Sequence, residues 1–357
     1  MAEEIDISKE NKLKILLGKN QDRDYLEENV FWEPLKQHNP HLLISGISGS
    51  GKTEALRKIC EGLKKNKIPI LIFDFHNDFT SFAERKIDES NLRIHPLTIL
   101  HGEKPRDVAH KITAILKNSF EELTVIQEGV IRKAIMLFYK DSGIKDLDKP
   151  NDGSYKLKSF KYFKDYFQLV SLSKATVESI LIKLDILFDY NLFLEGDDTE
   201  FTLDQFFEGS TVFQLKHAPS DEVKRLVTEI MINKLIQHCY MLEQTKEIRL
   251  YCLIDEAHRM VYKKSPLERL FRESRKYGIG VILASQRATD FNETILSQAG
   301  TIITLRQNLI KDANFIAKNR FADGDVLMRA RPGEGYIKVS SENKAIYVQM
   351  EMVENEN

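Results

Sequence analysis

Cysteine is scarce in this chain, and the few that are present exclude two classes of small domain. The three cysteines, Cys60, Cys239 and Cys252, are far apart and odd in number. Such a set supports neither a disulfide framework nor a cluster of metal ligands. The sequence therefore predicts a protein of a reducing compartment.

The chain also lacks a strong charge of one sign and any long apolar run. Its 357 residues carry 52 Lys and Arg against 54 Asp and Glu, a formal net charge of -2, so a site for a polyanion has to be local. No apolar run approaches the roughly 20 residues of a bilayer-spanning helix. The start of the sequence, MAEEIDISKE, does not have the pattern of a signal peptide. We expect a cytoplasmic protein with no membrane segment.

Short apolar runs alternate with segments of helical periodicity along most of the chain. An apolar run at 41–45, a helical pattern over 54–65 and a second apolar run at 68–73 predict a βαβ unit. Further apolar runs follow at 211–215, 250–254, 281–285 and 301–305. Strands that are buried on both faces predict an α/β fold with a mostly parallel central sheet covered by helices.

Changes in these patterns divide the chain into four parts. Residues 104–204 are mostly helical in pattern and are interrupted by the turn-rich DLDKPNDGSY, which predicts a helical insertion. The predicted parts are a strand-containing lead-in at 1–40, a core at 41–103 and 205–348, the mostly helical insertion at 104–204, and a flexible acidic tail at 349–357.

The segment NPHLLISGISGSGKTEAL joins an apolar strand to a glycine-rich loop and a helix. The loop matches GxxxxGK[ST], which in this context is a phosphate-binding loop, or P-loop. Its backbone N–H groups converge on phosphate oxygens, and the helix N-terminus adds a favourable dipole. We expect Lys52 to reach the β- and γ-phosphates and Thr53 to bind Mg²⁺. The residues predicted to hold ATP are Gly46, Ser48, Gly49, Ser50, Gly51, Lys52 and Thr53.

Polar side chains follow two of the later strands. Asp255 and Glu256 come directly after LYCLI, and Gln286 comes after VILAS. At the carboxyl edge of a parallel sheet, Asp255 would hold the metal ion and Glu256 would polarise the attacking water. Gln286 is predicted to sense the γ-phosphate, and an ordinary loop amide is the alternative.

Four segments together carry a resemblance to a known family. NPHLLISGISGSGKT, RLYCLIDEAHRM, RESRKYGIGVILASQR and ILSQAGTIITLR, in this order, resemble motifs of the HerA/FtsK superfamily of P-loop DNA-pumping ATPases. The segment before the P-loop, DFHNDF at 74–79 and RPGEGYIKV at 331–339 are similar to further parts of that superfamily. Within it, the chain looks like HerA-like ATPases and the C-terminal ATPase region of DptH, a protein of phosphorothioation-dependent restriction.

The resemblance implies a RecA-like core, a hexameric ring, ATP and Mg²⁺ at subunit interfaces, and double-stranded DNA in the central channel. It also implies a cation that one subunit supplies to its neighbour's site, where it would stabilise charge on the transferring phosphoryl group. Arg275 is the first candidate for this catalytic role, with Arg272 and Arg306 behind it; surface ion pairs are the alternative. Full-length HerA carries an N-terminal β-barrel, for which the stretch before this P-loop is too short.

Two lysine-rich stretches are candidates for DNA contact. MVYKKSPLERL, with Lys263 and Lys264, follows the acidic pair and suits a channel loop, although solvated lysines are an equal alternative. YKLKSFKYFKDYF interleaves aromatic residues with lysines, but its spacing favours an amphipathic helix whose lysines face water; these lysines are Lys156, Lys158, Lys161 and Lys164.

The sequence thus predicts an ATP-driven double-stranded DNA translocase that works in DNA processing or anti-phage restriction. Two alternatives stay open: an ATPase of a conjugation or packaging machine, and a nucleotide-gated scaffold that recruits an effector nuclease. No nuclease motif is evident, so any nuclease would be a partner. His258 has no second ligand at metal-binding spacing and is predicted to be a helix-start residue.

Overall fold

The computed structural model describes residues 13–22, 27–88, 92, 95–120, 123–170, 173–189, 193 and 202–351. Its strands are β1 (Ile15–Asn20), β2 (Asn29–Trp32), β3 (Leu42–Ser45), β4 (Ile70–Asp74), β5 (Arg85–Ile87), β6 (Thr211–Gln214), β7 (Thr245–Ile254), β8 (Tyr277–Ser285), β9 (Thr301–Leu305), β10 (Glu334–Val339) and β11 (Ile346–Met350).

Its α-helices are α1 (Lys52–Lys65), α2 (Pro105–Ser119), α3 (Val125–Asp141), α4 (Tyr166–Val170), α5 (Lys174–Leu184), α6 (Ile186–Asp189), α7 (Asp221–Cys239), α8 (Pro266–Glu273), α9 (Glu293–Gln298), α10 (Ile310–Lys318) and α11 (Gly324–Arg329). Within the described ranges, no helix is both long and apolar enough to cross a bilayer.

The described residues form two compact units. The first contains the residues up to Ile72, together with Thr245–Lys263 and the residues from Phe271 onward. The second contains Phe73–Gln244 and Lys264–Leu270. The strand order in the first unit is β2-β1-β11-β10-β9-β3-β8-β7-β4; the end of β4 lies in the second unit, where β6 and β5 follow it.

The central strands of the first unit are parallel. β3 lies between β8 and β9, and Ser45 at its end is opposite Ser285 and Thr304. β7 pairs with the other side of β8. Because parallel strands all run the same way, the residues that follow β3, β7, β8 and β9 meet at one edge of the sheet. This arrangement, with the helices along the chain, confirms the predicted α/β fold with a mostly parallel central sheet.

The lead-in adds an antiparallel flank to this sheet. β1 pairs with β2 on one side and with β11 on the other, and β11 continues through β10 to β9. Gly18 has to be glycine, because a Cβ there would lie 2.1 Å from the Gln349 carbonyl oxygen. Pairing with β1 keeps β11 in the ladder as far as Met350, so the strand extends two residues into the predicted tail. Residues 352–357 of that tail lie outside the described residues.

Helix α1 follows the P-loop and buries one face. Its apolar residues recur every three or four positions, which places them on one stripe; they are Ala55, Leu56, Ile59, Cys60 and Leu63. Lys64 and Lys65 occupy the last turn, where cations interact favourably with the helix dipole. Both features stabilise the helix whose first residues, Lys52 and Thr53, end the P-loop.

The second unit joins the predicted insertion to later helices. α3 begins with a capping box, in which Thr124 and Gln127 bond to each other's backbone N–H groups. α7 packs against α2, and Arg225 donates to the Asn118 carbonyl at 2.7 Å. The compact unit is thus larger than residues 104–204, because α7 buries its apolar face against helices of that segment.

The lysine-rich stretch at 155–167 forms a 3-10 helix at Phe160–Asp165 followed by α4, and not the single amphipathic α-helix expected. Phe160, Phe163 and Phe167 are buried. The lysines are exposed, as the amphipathic-helix interpretation predicted; they are Lys156, Lys158, Lys161 and Lys164.

Asp74, the first residue of DFHNDF, is buried at the end of β4. Its carboxylate accepts backbone N–H groups from His76, Asp78 and Phe79 at 2.8 to 3.2 Å. Burial raises the pKa of Asp74, and these hydrogen bonds oppose that rise. In the second unit, this carboxylate therefore holds the loop after β4 in shape.

Candidate active site

The P-loop is anchored by backbone hydrogen bonds to three neighbouring segments. The Gly46 N–H donates to the Ser285 carbonyl at 3.2 Å, and the Ile47 N–H donates to the Arg306 carbonyl at 3.0 Å. The Gly333 N–H, from RPGEG, donates to the Ser50 carbonyl at 2.9 Å. The loop is therefore fixed to the ends of β8 and β9 and to the turn before β10.

The glycines of this loop meet requirements that other residues cannot. Gly49 and Gly51 have φ of 74° and 96°, in the left-handed region that side chains disfavour. A Cβ on Gly46 would lie 2.5 Å from Ser50 Oγ and 2.9 Å from Leu305 Cβ. Without side chains at these glycines, a phosphate can approach the backbone of the loop closely, which suits the binding of phosphate oxygens.

Lys52 lies across the loop that precedes it. Its side chain is buried, and Nζ donates to the Gly46 carbonyl at 2.9 Å. Ser50 Oγ is buried with no hydrogen-bond partner among the described residues. A phosphate in the loop would give both groups an anionic partner, so the residues present fit a nucleotide. Thr53 stands half-buried in the first turn of α1, where it could bind a metal ion.

Asp255 and Glu256 occupy the sharp turn that ends β7. Both are almost fully buried, with 4% and 6% of their surface exposed. The Glu256 N–H donates to Asp255 Oδ1 at 3.0 Å, and Glu256 adopts a left-handed φ of 56°. Such a conformation is strained for a residue with a Cβ and is characteristic of functional sites.

The Glu256 carboxylate contacts two side chains. Gln286 Nε2 is 3.3 Å from both of its oxygens. His258 Nδ1 is 3.4 Å from Oε2. The structure therefore brings Glu256 and Gln286 together, as the ends of β7 and β8 suggested. Sequence reasoning missed the position of His258, because the 3-10 turn Ala257–Arg259 that returns it to Glu256 has no sequence signature.

The three candidate arginines lie in different places. Arg275 is exposed in the 3-10 turn Ser274–Lys276, just before β8, and is therefore at the opposite edge of the sheet from the P-loop. The nine residues of β8 separate the two edges by about 30 Å, so Arg275 cannot reach the P-loop of its own chain. Arg272 pairs with Glu273 at 3.3 Å on the surface. Arg306 follows β9 at the P-loop edge.

The chemistry of the site suits Mg²⁺ better than a transition metal. Within the described part of the chain, no three His, Cys, Asp or Glu residues come together as a metal site. Mg²⁺ bound to a nucleotide needs one or two protein oxygens, with phosphates and water as its other ligands. Thr53 and Asp255 can provide such oxygens.

Comparison with known proteins settles the family. A model of the central domain of the helicase HerA matches residues 35–235, more than half of the chain. The chain belongs to this HerA family. The match confirms the predicted membership of the HerA/FtsK superfamily. A model of the DNA-binding domain of type IV secretion-system coupling proteins also matches, over residues 164–319.

Curated relatives of this HerA-family chain are longer than the chain itself. The DNA import protein CedB of Sulfolobus acidocaldarius is 27% identical over 277 residues, which cover 74% of this chain and 43% of CedB. The DNA double-strand break repair helicase HerA of Sulfurisphaera tokodaii is 22% identical over 77% of this chain and 57% of that helicase. The chain thus spans roughly half the length of these relatives.

Solved structures confirm that the fold is a RecA-like P-loop ATPase core. VirB4 of Thermoanaerobacter pseudethanolicus has a TM-score of 0.76 at 18% identity, over 95% of this chain and 96% of that one. The plasmid coupling protein TrwB, in complex with ADP and Mg²⁺, has a TM-score of 0.63 at 13% identity, over 90% and 86% of the two chains. At these identities the likeness concerns the fold alone.

Proposed function

We propose that this chain is an ATP-driven motor that moves along double-stranded DNA as a hexameric ring. The observation that carries the proposal is the convergence of the P-loop, the buried acidic pair and Gln286 at one edge of the parallel sheet. Sites that combine these groups bind a nucleoside triphosphate and activate a water molecule against it. The complex of TrwB with ADP and Mg²⁺ supports the choice of nucleotide and metal.

Each polar residue at this edge has one task in the proposed reaction. Lys52 would exchange its bond with the Gly46 carbonyl for the β- and γ-phosphates, while Thr53 and Asp255 hold Mg²⁺. Bound Mg²⁺ neutralises charge on these phosphates. Glu256 polarises the attacking water, and its burial keeps the carboxylate away from competing solvent. Gln286 contacts the γ-phosphate, so that the loop after β8 responds to the presence of this phosphate.

Arg275 would complete the site of a neighbouring subunit. Its place at the far edge of the sheet supports this role, because an exposed arginine there can face a second copy of the chain. Mixing tests the idea: Arg275→Ala and Glu256→Gln chains, each inactive alone, should recover part of the wild-type rate when they assemble together. If the mixture stays inactive, Arg275 does not act between subunits.

Double-stranded DNA is the proposed substrate of the motor. The names of two relatives, a DNA import protein and a DNA-repair helicase, support action on DNA. DNA processing or anti-phage restriction in the cytoplasm is the proposed setting, with a nuclease or another effector as partner. Lys263 is exposed after the acidic turn and is a candidate for DNA contact.

A conjugation-type ATPase is the second candidate. The fold likeness to VirB4 and TrwB and the matching coupling-protein model favour it. Such a protein would depend on a membrane-associated machine for its activity. A chain that translocates DNA without other proteins would argue against this candidate.

The test is steady-state ATP hydrolysis with and without double-stranded DNA over a series of salt concentrations. We expect DNA to increase the rate and salt to weaken this increase, because phosphate contacts release counterions. Lys52→Ala should abolish hydrolysis. ATP-dependent ring assembly without any effect of DNA would instead support a nucleotide-gated scaffold.

A further inference from the structure

The Glu256 carboxylate needs support that Gln286 cannot give throughout the reaction. Gln286 offers a single amide nitrogen, and this nitrogen is already shared between both carboxylate oxygens at 3.3 Å. If Gln286 turns towards a γ-phosphate, as its proposed role requires, this contact is weakened at the moment when Glu256 has to face the water. A contact that does not involve Gln286 would keep the carboxylate in place at that moment, and His258 offers one.

We propose that His258 is the positioning residue that fixes the Glu256 carboxylate for water activation. This inference rests on the proposed ATP hydrolysis and assigns a further residue to it. His258 Nδ1 is 3.4 Å from Glu256 Oε2. With a proton on Nδ1, the imidazole can donate to Oε2 once this contact shortens, and it does so from a residue other than Gln286.

The backbone around His258 makes this contact independent of Gln286. The Arg259 N–H donates to the Glu256 carbonyl at 3.1 Å, and the Met260 N–H donates to the Ala257 carbonyl at 2.9 Å. Ala257 and Met260 are fully buried and anchor the turn. His258 therefore moves with Glu256 itself, whereas Gln286 belongs to another strand.

The exposure of the His258 side chain indicates that it does not serve to pack the core. The Glu256 side chain is 7% exposed, whereas that of His258 is 38% exposed. Truncating His258 opens no cavity in the core, so its variants are expected to fold normally. A change in their turnover would then come from the carboxylate and not from the fold.

The test uses three substitutions of His258. His258→Ala removes the donor and should lower kcat on the order of 10-fold, because a misplaced catalytic group costs about this much or more. KM and the affinity for ATP should change less than twofold. His258→Asn places an amide nitrogen where Nδ1 stands and should restore most of kcat. His258→Gln places its nitrogen nearer to Nε2 and should be as slow as His258→Ala.

A double variant shows whether His258 acts through Glu256. In a Glu256→Gln background, His258→Ala should cause no further loss. The proposal is overturned by an unchanged kcat in His258→Ala, by an Asn variant no faster than Ala, or by a further loss in the double variant. A wild-type chain that binds ATP but does not hydrolyse it would contradict the proposed function itself, and with it the role of His258.

Discussion

One charged stretch in each unit of the molecule shows how differently such side chains can be buried. In the first unit, Asp255, Glu256 and Lys52 are buried at the edge of the sheet, where Lys52 donates to the Gly46 carbonyl and Asp255 accepts the Glu256 N–H. In the second unit, Lys158 pairs with Asp141 while both side chains remain about half exposed. Burying a charged group costs free energy, so such a group stays buried only where function or structure requires it. An exposed ion pair costs little free energy and contributes little to stability.

This difference supports our proposal that the motif with Asp255 and Glu256, and not residues 155–167, carries the chemistry. Both units contain a run of polar residues next to an apolar segment, and from the sequence alone either run is a candidate functional site. The aromatic residues of 155–167 pack inward, so that the lysines between them form a solvated face. In the first unit, Gln286 instead contacts the buried Glu256 carboxylate, and Lys52 bonds to the Gly46 carbonyl of the P-loop. These contacts support the proposal that catalysis takes place in the first unit.

The strongest test of this assignment is Glu256→Gln. The substitution keeps the size of the side chain but removes the base, so kcat should fall about 10²- to 10⁴-fold while ATP still binds. Glu247→Gln, on the exposed amino-terminal part of the same strand β7, is the matched control and should retain full activity. Equal rates for both variants would remove Glu256 from the mechanism.

The aromatic core of the second unit should matter for stability. Phe138 is fully buried, and its ring centroid lies 5.3 Å from that of Tyr166 and 5.8 Å from that of Phe163. Phe138→Ala should lower the free energy of unfolding by about 3 to 5 kcal/mol. Leu169→Ala, at a side chain that is 70% exposed, should change it by less than about 0.5 kcal/mol. Urea unfolding measures both, and similar values would disprove the aromatic core.

A buried histidine should make the first unit sensitive to acid. Burial lowers the pKa of His41 to about 3, and its Nδ1 accepts the Val281 N–H at 3.1 Å. The contribution of neutral His41 to the free energy of unfolding is fully present above about pH 6.5, the pKa of a histidine in the unfolded chain. It is lost as the pH falls towards 3, because the unfolded state binds the proton more readily than the folded state. At pH 5 the loss is about 2 kcal/mol.

His41→Asn tests this assignment, because the amide oxygen can still accept the Val281 N–H but does not titrate. Unfolding free energies at pH 7.5 and pH 5 should differ by about 2 kcal/mol less in this variant than in the wild type. An identical pH dependence in the two proteins would show that His41 is not the group responsible.

The smallest expected effects concern the two sets of lysines. Lys263→Ala with Lys264→Asn should reduce the salt slope of DNA binding by about one per lysine; asparagine is chosen because Lys264 has a φ of 65°. Lys161→Ala with Lys164→Ala should leave binding within about twofold, because charges on a solvated face contribute little. Fluorescence anisotropy over a salt series measures both. The reverse order would move the DNA contact to the lysines of residues 155–167.

Much of the active edge could be predicted from the sequence, because strands that end in glycine or acidic residues signal both the fold and the chemistry. The P-loop, the acidic pair and Gln286 follow apolar runs that became β3, β7 and β8. Contacts that depend on long-range pairing or on an unusual backbone conformation had no such signal. The bond from Gly333 to Ser50 depends on the antiparallel flank, and the contact of His258 with Glu256 depends on a left-handed backbone at Glu256.

The extent of the second unit could not be predicted for a related reason. Periodicity identified the helices of the insertion, but it does not say which helix covers which. The packing of α7 on α2 joins residues on both sides of the predicted boundary at 204. Such long-range pairing depends on the complementary shapes of two apolar faces.

The central claim, movement along double-stranded DNA, is tested most directly by displacement of a third strand. A labelled oligonucleotide that forms a triplex on one end of a duplex reports a motor that arrives there. We predict that the wild-type chain displaces it in the presence of ATP and that Lys52→Ala does not. ATP hydrolysis that is stimulated by DNA while the third strand stays bound would contradict the claim.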